Sequence, residues 1–365
     1  MNMKTTNNTS PKGNKGEWSE FYAFTKILTE GKVFTADKDL KILEDHFHLV
    51  LKIIRQETAG IKSYDISKND GRVIISDNGT EIDVVDLDGI KGGVAKIFEE
   101  IKKSSGTTFE ISHAVGIMDD LHCTQLRASS GKKADITIVL HDKKSPEFPE
   151  LGFSIKSMLG SPATLLNASG ATNFVYRIGT RDGAPVQNSD DMSVREATKL
   201  SYGAGAGLEF ISMDNATFRK NLRKVDSIFP DIVAQMLKHY YMGNGTTIKD
   251  LVDKIAEDSD FMDHIDFTKD MLILNIKRFL SAIALGMMPS KDWDGYTEAH
   301  GGYIIVKEDG EVVCYHLYNR DKFEDYLFHN TKLDTPSTSR HGFGRIYEED
   351  GEQRMKLNLQ IRFLK

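Results

Sequence analysis

Two short segments of the sequence alternate in the way that β-strands do, and they restrict the possible folds more than any other feature. The first reads Ala-Asp-Ile-Thr-Ile-Val-Leu over residues 134–140, and the second contains Ser154-Ile155-Lys156. Successive side chains of a strand point to opposite faces, so Asp135 lies opposite its isoleucine neighbours, and Ser154 shares a face with Lys156. If the two strands are neighbours with their polar faces aligned, a carboxylate and an ammonium group meet at one edge of a sheet.

This pairing of charges suits phosphodiester hydrolysis. Mg²⁺ prefers oxygen ligands and usually takes one or two carboxylates, completing its shell with waters and substrate phosphate. Asp135 would bind the ion, and Lys156 would hold the scissile phosphate or the nucleophilic water. The usual nuclease pattern, an Asp followed by Asp/Glu-x-Lys, has a second carboxylate where Ser154 offers only a neutral and weaker ligand. The sequence thus predicts a metal-dependent nuclease centre in which one acidic ligand has been replaced.

A second carboxylate must then come from elsewhere in the chain. Residues 157–181 contain no acid. Glu150 would lie roughly 20 Å from Lys156 if the strand continues at about 3.3 Å per residue. By elimination, the first helix is the best source, through Glu17 or Glu20. Both could instead be acids that the helix dipole favours in a first turn, an explanation that fits Glu17 better than Glu20.

The composition is that of a globular protein and limits its partners. The chain has 365 residues, 39% of them hydrophobic and 28% charged, with a formal net charge of -7. It can therefore bury one large core or two moderate ones, and any DNA-binding surface must be local. Its two cysteines are too few for a disulfide framework, and its longest apolar run is too short to span a bilayer. We expect a cytoplasmic protein with no membrane partner.

The order of elements predicts an α/β (α+β) fold, with a mixed central sheet flanked by helices. Residues 1–15 are predicted to be a flexible arm, and residues 16–212 the catalytic nuclease core. Long amphipathic segments begin near residue 213. Residues 213–365 are therefore predicted to form a helix-rich and then β-hairpin region that contributes to DNA recognition.

Local patterns add detail to this architecture. Apolar residues at helical spacing predict a helix from about Lys38 to Glu57. Asp77-Asn78-Gly79 and Asp309-Gly310 predict hairpin turns. Ser161-Pro162 suits the first turn of a helix that would end at Gly170. Further helices are predicted near residues 94–103, 215–242, 247–258 and 267–286.

Polar and basic side chains that could contact DNA fall into three segments. One precedes the Asp135 strand and could clamp the DNA backbone, one lies in the stretch without acids, and one is a basic loop near residue 340. The candidates are Gln125, Arg127, Lys132 and Lys133, then Asn167, Asn173 and Arg177, and finally Ser339, Arg340 and His341. Helix caps, turns and solvated loops would explain the same residues without DNA.

With these residues in place, the chain resembles the HpaII-like type II restriction endonucleases over nearly its whole length. The segments that carry the resemblance are Gly13-Asn14-Lys15-Gly16-Glu17-Trp18-Ser19-Glu20, Lys132-Lys133-Ala134-Asp135-Ile136, Gly152-Phe153-Ser154-Ile155-Lys156-Ser157 with Leu159-Gly160-Ser161-Pro162, and Thr335-Pro336-Ser337-Thr338-Ser339-Arg340-His341. The resemblance implies a Mg²⁺-dependent enzyme of the PD-(D/E)xK class that cuts both strands of double-stranded DNA at a short palindrome, CCGG. It also implies that methylation by a partner methyltransferase blocks cleavage.

Two positions depart from the family pattern. Ala134 stands where a Pro usually precedes the metal-binding Asp. A serine at position 154 resembles the pattern of other CCGG-cutting enzymes, in which a later helix supplies the missing carboxylate. In this sequence, that helix contains no acidic residue. Two other functions fit the residues: a structure-specific repair or junction nuclease, and a catalytically inactive DNA-binding regulator. The palindrome could be cut by a two-fold homodimer or by a monomer that nicks twice.

Overall fold

The computed structural model of the chain describes residues 11–66, 71–128, 134–141, 149–179, 185–186, 192–203, 207–296 and 300–364. The chain forms two compact units. Unit 1 comprises Met1–Ala163 and Glu298–Phe323, and unit 2 comprises Thr164–Thr297 and Glu324–Lys365. Most of the predicted arm, residues 1–10, lies outside the described residues, and regular structure begins at Lys12.

The strands are numbered in chain order. They are β1 (Lys12–Gly13), β2 (Lys32–Ala36), β3 (Ile42–Glu57), β4 (Gly60–Asp65), β5 (Arg72–Asp77), β6 (Thr80–Asp86), β7 (Phe109–Glu110), β8 (Ile136–His141), β9 (Glu150–Ser157), β10 (Thr164–Leu166), β11 (Asn173–Ile178), β12 (Leu208–Met213), β13 (Gly302–Val306), β14 (Val312–His316), β15 (Thr331–Leu333), β16 (Ile346–Glu349), β17 (Glu352–Asn358) and β18 (Ile361–Phe363).

The helices are numbered in the same way. They are α1 (Lys15–Glu30), α2 (Leu87–Lys103), α3 (Ser112–Asp120), α4 (Val194–Gly203), α5 (Ala216–Val225), α6 (Phe229–Met242), α7 (Ile248–Ala256), α8 (Ser259–Ile265), α9 (Lys269–Leu285), α10 (Arg320–His329) and α11 (Thr338–His341). Short 3-10 turns lie at Gly170–Thr172 and Leu317–Asn319.

One large mixed sheet organises unit 1. Its strands follow the order β2, β14, β13, β9, β8, β3, β4, β5, β6. β9 pairs with β13 in parallel and with β8 in antiparallel fashion. Because β2 pairs with β3 as well as with β14, the first six strands of this order close into a ring of pairings. β8 and β9 therefore have hydrogen-bonded neighbours on both sides, which gives side chains on them a rigid support.

Helix α1 packs against this sheet beside β9. It begins with a capping box, in which Asn14 Oδ1 accepts from the Glu17 N–H (3.0 Å) and the Glu17 carboxylate accepts from the Asn14 N–H (2.8 Å). It ends at Gly31, which has a left-handed φ of 64°. Trp18 is fully buried, and its indole N–H donates to the Phe109 carbonyl oxygen (3.0 Å). Both ends and the buried face of α1 are thus fixed by specific contacts.

Unit 2 combines helices with two small antiparallel sheets, ordered β12-β11-β17-β16 and β10-β18-β15. Helix α6 lies at its centre, and its core face packs on the larger sheet. The Tyr176 hydroxyl on β11 donates to the Ala234 carbonyl oxygen (2.7 Å), and the Tyr241 hydroxyl on α6 donates to that of Asn358 (3.0 Å). Buried hydroxyl groups with partners of this kind tie helix and sheet together at specific points.

Two predicted helices are wrong. The segment from Lys38 to Glu57 contains strand β3, whose register against β8 shifts between Val50 and Lys52. Its buried side chains change face there, so Val50 and Ile53 are buried at a spacing of three that imitates a helix. The segment after Ser161-Pro162 is also not a helix, because its backbone pairs with β18 as strand β10.

Other local predictions are confirmed. Asn78 and Gly79 turn between β5 and β6 with positive φ angles of 47° and 84°, and Gly310 (φ 88°) turns between β13 and β14. Helices occur where the amphipathic segments predict them, as α2, α5 to α7 and α9. The mixed α/β class is confirmed as well.

The two units interleave along the chain. Strands β13 and β14 follow residue 213 in the sequence, yet they belong to the sheet of unit 1. The two units are therefore not divided in sequence by a single boundary near that position. The division of roles between residues 16–212 and 213–365 remains a prediction. Within the described ranges, no helix combines the length and the apolar character that crossing a bilayer requires.

Candidate active site

Strands β8 and β9 bring Asp135 and Lys156 to one place in unit 1. Asp135 lies immediately before β8, and its backbone N–H donates to the Phe153 carbonyl oxygen on β9 (2.8 Å). Ile136 and Ile138 are buried on the opposite face, as the alternation predicts. The expected arrangement of the two strands is therefore confirmed, whereas the chemical roles of their side chains remain a prediction.

Ser154 links the two charged groups. Its hydroxyl donates to Asp135 Oδ2 (3.0 Å) and accepts from Lys156 Nζ (3.0 Å). The same Asp135 oxygen also accepts from the Ile155 backbone N–H (2.8 Å). Ser154 is only 3% exposed, so water does not compete strongly for these bonds. The serine that replaces an acid in the sequence pattern thus holds the aspartate and the lysine in a fixed relation.

Glu20 approaches the same place from helix α1. The preceding residue, Ser19, donates from its hydroxyl to Ser157 Oγ on β9 (2.8 Å), which fixes this turn of the helix against the strand. Among the described residues, Glu20 Oε2 is a buried oxygen with no hydrogen-bond partner. A buried carboxylate oxygen without a donor is costly. Such an atom is a candidate ligand for a cation.

Burial and mutual charge shift the pKa values of the site. The pKa of Glu20 rises to about 7, mainly because the carboxyl is buried and then because Asp135 is negative, while Arg127 and Lys156 oppose the rise. Burial also lowers the pKa of Lys156, although Asp135 and Glu20 counteract this. Glu20 is therefore poised between its neutral and its ionised form near neutral pH. A bound cation would favour the ionised form.

Glu17, the other acid of the first helix, lies in a different setting. Its carboxylate accepts from the backbone of Asn14 in the capping box at the start of α1. This bond satisfies a helix donor that would otherwise lack a partner. Of the two glutamates that the sequence leaves open, the structure brings Glu20 toward Asp135 and engages Glu17 in the helix cap.

Arg127 lies between the carboxylates. Its Nη2 is 3.5 Å from Asp135 Oδ1, and its Nε is 3.6 Å from Glu20 Oε2. The arginine side chain is 56% exposed, whereas those of Asp135 and Glu20 are 8% and 16% exposed. The guanidinium thus covers the carboxylates from the solvent side.

A buried ion pair that the sequence did not reveal supports this arrangement. Arg55 and Glu57, 3% and 1% exposed, lie on β3 and pair through Nε and Oε1 (3.2 Å). Arg55 Nη2 donates to the carbonyl oxygens of Gln125 (3.0 Å) and Leu126 (3.3 Å). Glu57 accepts from the N–H and the hydroxyl of Thr124 (3.1 and 2.7 Å). The pair therefore fixes the backbone that leads into Arg127.

The donor set agrees with a hard divalent cation. The described ranges contain no cluster of three or more His, Cys, Asp or Glu side chains arranged around one metal position. Asp135 and Glu20 supply two carboxylates, and Ser154 supplies a hydroxyl. Mg²⁺ commonly takes one or two protein carboxylates and keeps several waters, so these residues fit it better than they fit Zn²⁺, which prefers nitrogen and sulfur.

The other DNA-contact candidates of unit 1 have varied surroundings. Lys132 and Lys133 lie outside the described residues. Gln125 accepts from the Thr58 hydroxyl (3.1 Å) and donates to the Gln56 carbonyl oxygen (3.2 Å). These bonds hold Gln125 to the turn between β3 and β4. Its side chain therefore has a structural explanation that needs no DNA.

The remaining candidates belong to unit 2. Asn173 is 2% exposed and donates to Asp214 (3.1 Å) and to the His341 carbonyl oxygen (2.9 Å). Arg177 pairs with Glu209 (2.6 Å) and Glu352 (2.9 Å). These contacts favour structural roles for both residues.

The other candidates of unit 2 are at least partly exposed. Asn167, Ser339 and Arg340 are exposed, and His341 is partly exposed. Among them, Ser339 lines a cavity of about 520 Å³, together with Thr338, Gly342, Phe343, Arg345, Tyr347 and Lys356. Aromatic and basic groups together suit a nucleic-acid surface.

Comparison with known proteins identifies the family of the chain. The family model described as HpaII restriction endonuclease matches residues 14–363. "Type II restriction enzyme HpaII" from Haemophilus parainfluenzae is 40% identical over 354 residues, which cover 96% of this chain and 98% of that protein. No solved structure matches. These likenesses define the class: a type II restriction endonuclease, a site-specific deoxyribonuclease with double-stranded DNA as its substrate. Within that class, the chain belongs to the HpaII restriction endonuclease family.

Proposed function

We propose that the chain is the Mg²⁺-dependent endonuclease of a restriction-modification system, and that it hydrolyses both strands of DNA at the palindrome CCGG. The centre would be of the PD-(D/E)xK type, with Asp135 and Glu20 as metal ligands and Lys156 beside them. The observation that carries the proposal is the Ser154 hydroxyl bonded to both Asp135 and Lys156, next to a buried Glu20 oxygen that has no hydrogen-bond partner among the described residues.

The chain's own groups have distinct tasks in this proposal. Lys156, desolvated and held by Ser154, would bind the scissile phosphate or orient the attacking water. Ser154 keeps Lys156 and Asp135 from collapsing into a direct ion pair. The Ile155 N–H fixes one oxygen of Asp135, so the other remains directed toward the site. When bound, Mg²⁺ would stabilise the negative charge that develops on the phosphate.

DNA recognition would involve both units. Arg127, with Lys132 and Lys133, would contact phosphates beside the cleaved bond. Ser339, Arg340 and His341 would contact DNA from the loop of unit 2. A CCGG site presents guanine O6 and N7 in the major groove, and arginine is well suited to bind this pair of acceptors. Arg340 is an exposed arginine in that loop.

The biological partners follow from the same proposal. A methyltransferase of the same specificity would protect the DNA of the cell and needs no contact with this chain. The enzyme would act in the cytoplasm. A homodimer with two-fold symmetry would place one centre on each strand of the palindrome.

Cleavage of a plasmid tests the proposal directly. The full chain is incubated with Mg²⁺ and either an unmethylated plasmid or one methylated at its CCGG sites, and the ends are sequenced. We expect discrete bands from the unmethylated plasmid only, with every end inside CCGG. Ends at other sequences would contradict the specificity. Cleavage confined to branched DNA would indicate a repair nuclease. DNA binding without cleavage would indicate a regulator.

Two matched variants test the metal ligands. Glu20→Gln should lower the cleavage rate by about 10²-fold or more, because it removes a charge that holds the cation. Glu17→Gln removes the same charge one helical turn away and preserves the capping box, so it should cleave as the parent chain does. Parent-like cleavage by Glu20→Gln would exclude Glu20 as an essential ligand.

A further inference from the structure

Arg127 lies between the two acids that would hold a cation. Its guanidinium is 3.5 Å from Asp135 Oδ1 and 3.6 Å from Glu20 Oε2. These separations exceed those of well-formed charge-assisted hydrogen bonds, which are typically about 2.7–2.9 Å. The arginine therefore neutralises the acids without closing tightly on either. Such a contact is weak enough to be exchanged.

The charges of the site balance without a metal ion. Asp135 and Glu20 carry two negative charges when ionised, and Lys156 and Arg127 carry two positive charges. A divalent cation held by the same two acids would lie near the guanidinium, and neighbouring like charges repel each other strongly in a partly buried site. Arg127 and the cation therefore compete for the same two carboxylates.

The backbone before Arg127 is fixed, whereas its side chain is exposed. The buried pair of Arg55 and Glu57 binds three consecutive residues, Thr124 to Leu126. The Arg127 side chain is 56% exposed. A long side chain on an anchored backbone can change partner by rotation of its own bonds, which needs no movement of the fold.

We propose that Arg127 is an internal counter-ion that exchanges with the metal. In the metal-free protein it neutralises Asp135 and Glu20. When a divalent cation binds these acids, the guanidinium is displaced and becomes available to a phosphate of the DNA backbone. Metal binding and the availability of a phosphate-binding arginine are thereby coupled through one side chain. This inference rests on the proposed function, because it takes Asp135 and Glu20 as the cation ligands.

Titration of the DNA-free full chain with Mn²⁺ tests this exchange. Mn²⁺ suits carboxylate and water ligands, as Mg²⁺ does, and its free concentration can be followed by electron paramagnetic resonance. Arg127→Gln removes the competitor, so it should bind Mn²⁺ about tenfold more tightly than the parent chain, the scale expected for losing two half-exposed ion pairs. Arg72→Gln, an exposed arginine on β5, serves as the control and should bind Mn²⁺ like the parent chain.

A second measurement separates exchange from simpler roles. Affinity for a CCGG duplex is measured in EDTA, where Arg127→Gln should bind more weakly because two carboxylates then face the phosphates unneutralised. If Arg127 had a purely structural role, Arg127→Gln would bind both Mn²⁺ and DNA more weakly than the parent chain. If Arg127 only contacted a DNA phosphate, Arg127→Gln would bind DNA more weakly and Mn²⁺ as tightly as the parent chain. Either of those two patterns overturns the exchange.

Failure of the proposed function has a different signature. If the parent chain does not bind Mn²⁺, or if Asp135→Asn does not abolish the binding, the assignment of the cation ligands is wrong. The exchange is then wrong as well. If the parent chain binds Mn²⁺ in that way and Arg127→Gln binds it equally tightly, the ligand assignment stands and the exchange alone is wrong. Melting curves of all variants verify that they fold.

Discussion

Ser154 offers its neighbours a bond that a carboxylate could not. Its hydroxyl donates to Asp135 and accepts from Lys156 at the same time, whereas an ionised acid only accepts. In the proposed site, the second negative charge is supplied from helix α1 by Glu20 instead. The site therefore draws its two acids from different elements, and its geometry depends on how α1 packs against β9.

Part of this site could be predicted from the sequence. The period of a strand fixes which side chains share a face, so the meeting of Asp135 with Lys156 followed from alternation once the two strands were taken as neighbours. Glu17 and Glu20 remained alternatives, because they lie about one turn apart near the start of the same helix and therefore share a face of it. A signal in the sequence could have distinguished them, because Asn14 followed three residues later by Glu17 matches the capping box that the structure shows.

Replacing Glu20 with Gln should change how stability depends on pH in the metal-free protein. Burial and Asp135 raise the pKa of Glu20 from 4.5 to about 7, so the folded state holds this proton more tightly than the unfolded state. The resulting stabilisation is complete below about pH 4.5 and is lost as the pH rises through about 7, on the order of 3 kcal/mol in all. Because glutamine is always neutral, the variant should melt like the parent chain near pH 5 and at a higher temperature near pH 8.

The measurement is thermal unfolding in EDTA across that range. Glu17→Gln is the control, and its curve should follow that of the parent chain, because Glu17 belongs to the helix cap rather than to the site. Parallel curves for Glu20→Gln and the parent chain would contradict the raised pKa.

At the scale of whole elements, strand β3 shows where a sequence pattern misleads. Its register shift between Val50 and Lys52 moves the buried positions from one face to the other. Charged Arg55 and Glu57 then occupy core positions where a pattern search expects apolar residues. Both effects arise from neighbouring strands and from the loop at residues 124–126. They therefore cannot be predicted from the sequence of this segment alone. Hairpins were predictable because their turn residues act locally.

Gly302→Ala should strongly destabilise the sheet that carries the site. Gly302 has a φ of 119°, and an added Cβ would overlap the carbonyl oxygen of Tyr315 on the paired strand β14. Relief of this overlap requires β13 to separate from β14 or the backbone to shift. We expect a loss of more than about 4 kcal/mol in denaturant unfolding.

Gly351→Ala is a matched control for this substitution. Gly351 also has a positive φ, 76°, but an added Cβ would have no heavy atom within 4 Å. Its cost should be about 1–2 kcal/mol, from backbone conformation alone. Equal losses for the two variants would show that the overlap at β14 is absorbed at no cost.

At the scale of the whole molecule, unit 1 is discontinuous in sequence. The chain leaves it after Ala163 and returns at Glu298. A fragment of residues 16–212 lacks β13 and β14, which join β9 to β2 in the central sheet. We expect this fragment to expose the edge of β9 and to show no cooperative unfolding transition by circular dichroism. A sharp transition like that of the full chain, refolded under the same conditions, would contradict this.

The late return of the chain to the sheet also orders events during synthesis. Lys156 leaves the ribosome about 150 residues before β13, whose Tyr303 and Ile305 are the register partners of Ser154 and Lys156. At roughly 5–20 residues per second, the gap lasts on the order of 10–30 s. A nascent chain thus emerges with its proposed catalytic residues exposed on an unfinished sheet. It gains the ability to damage the genome of its own host only when translation is nearly over.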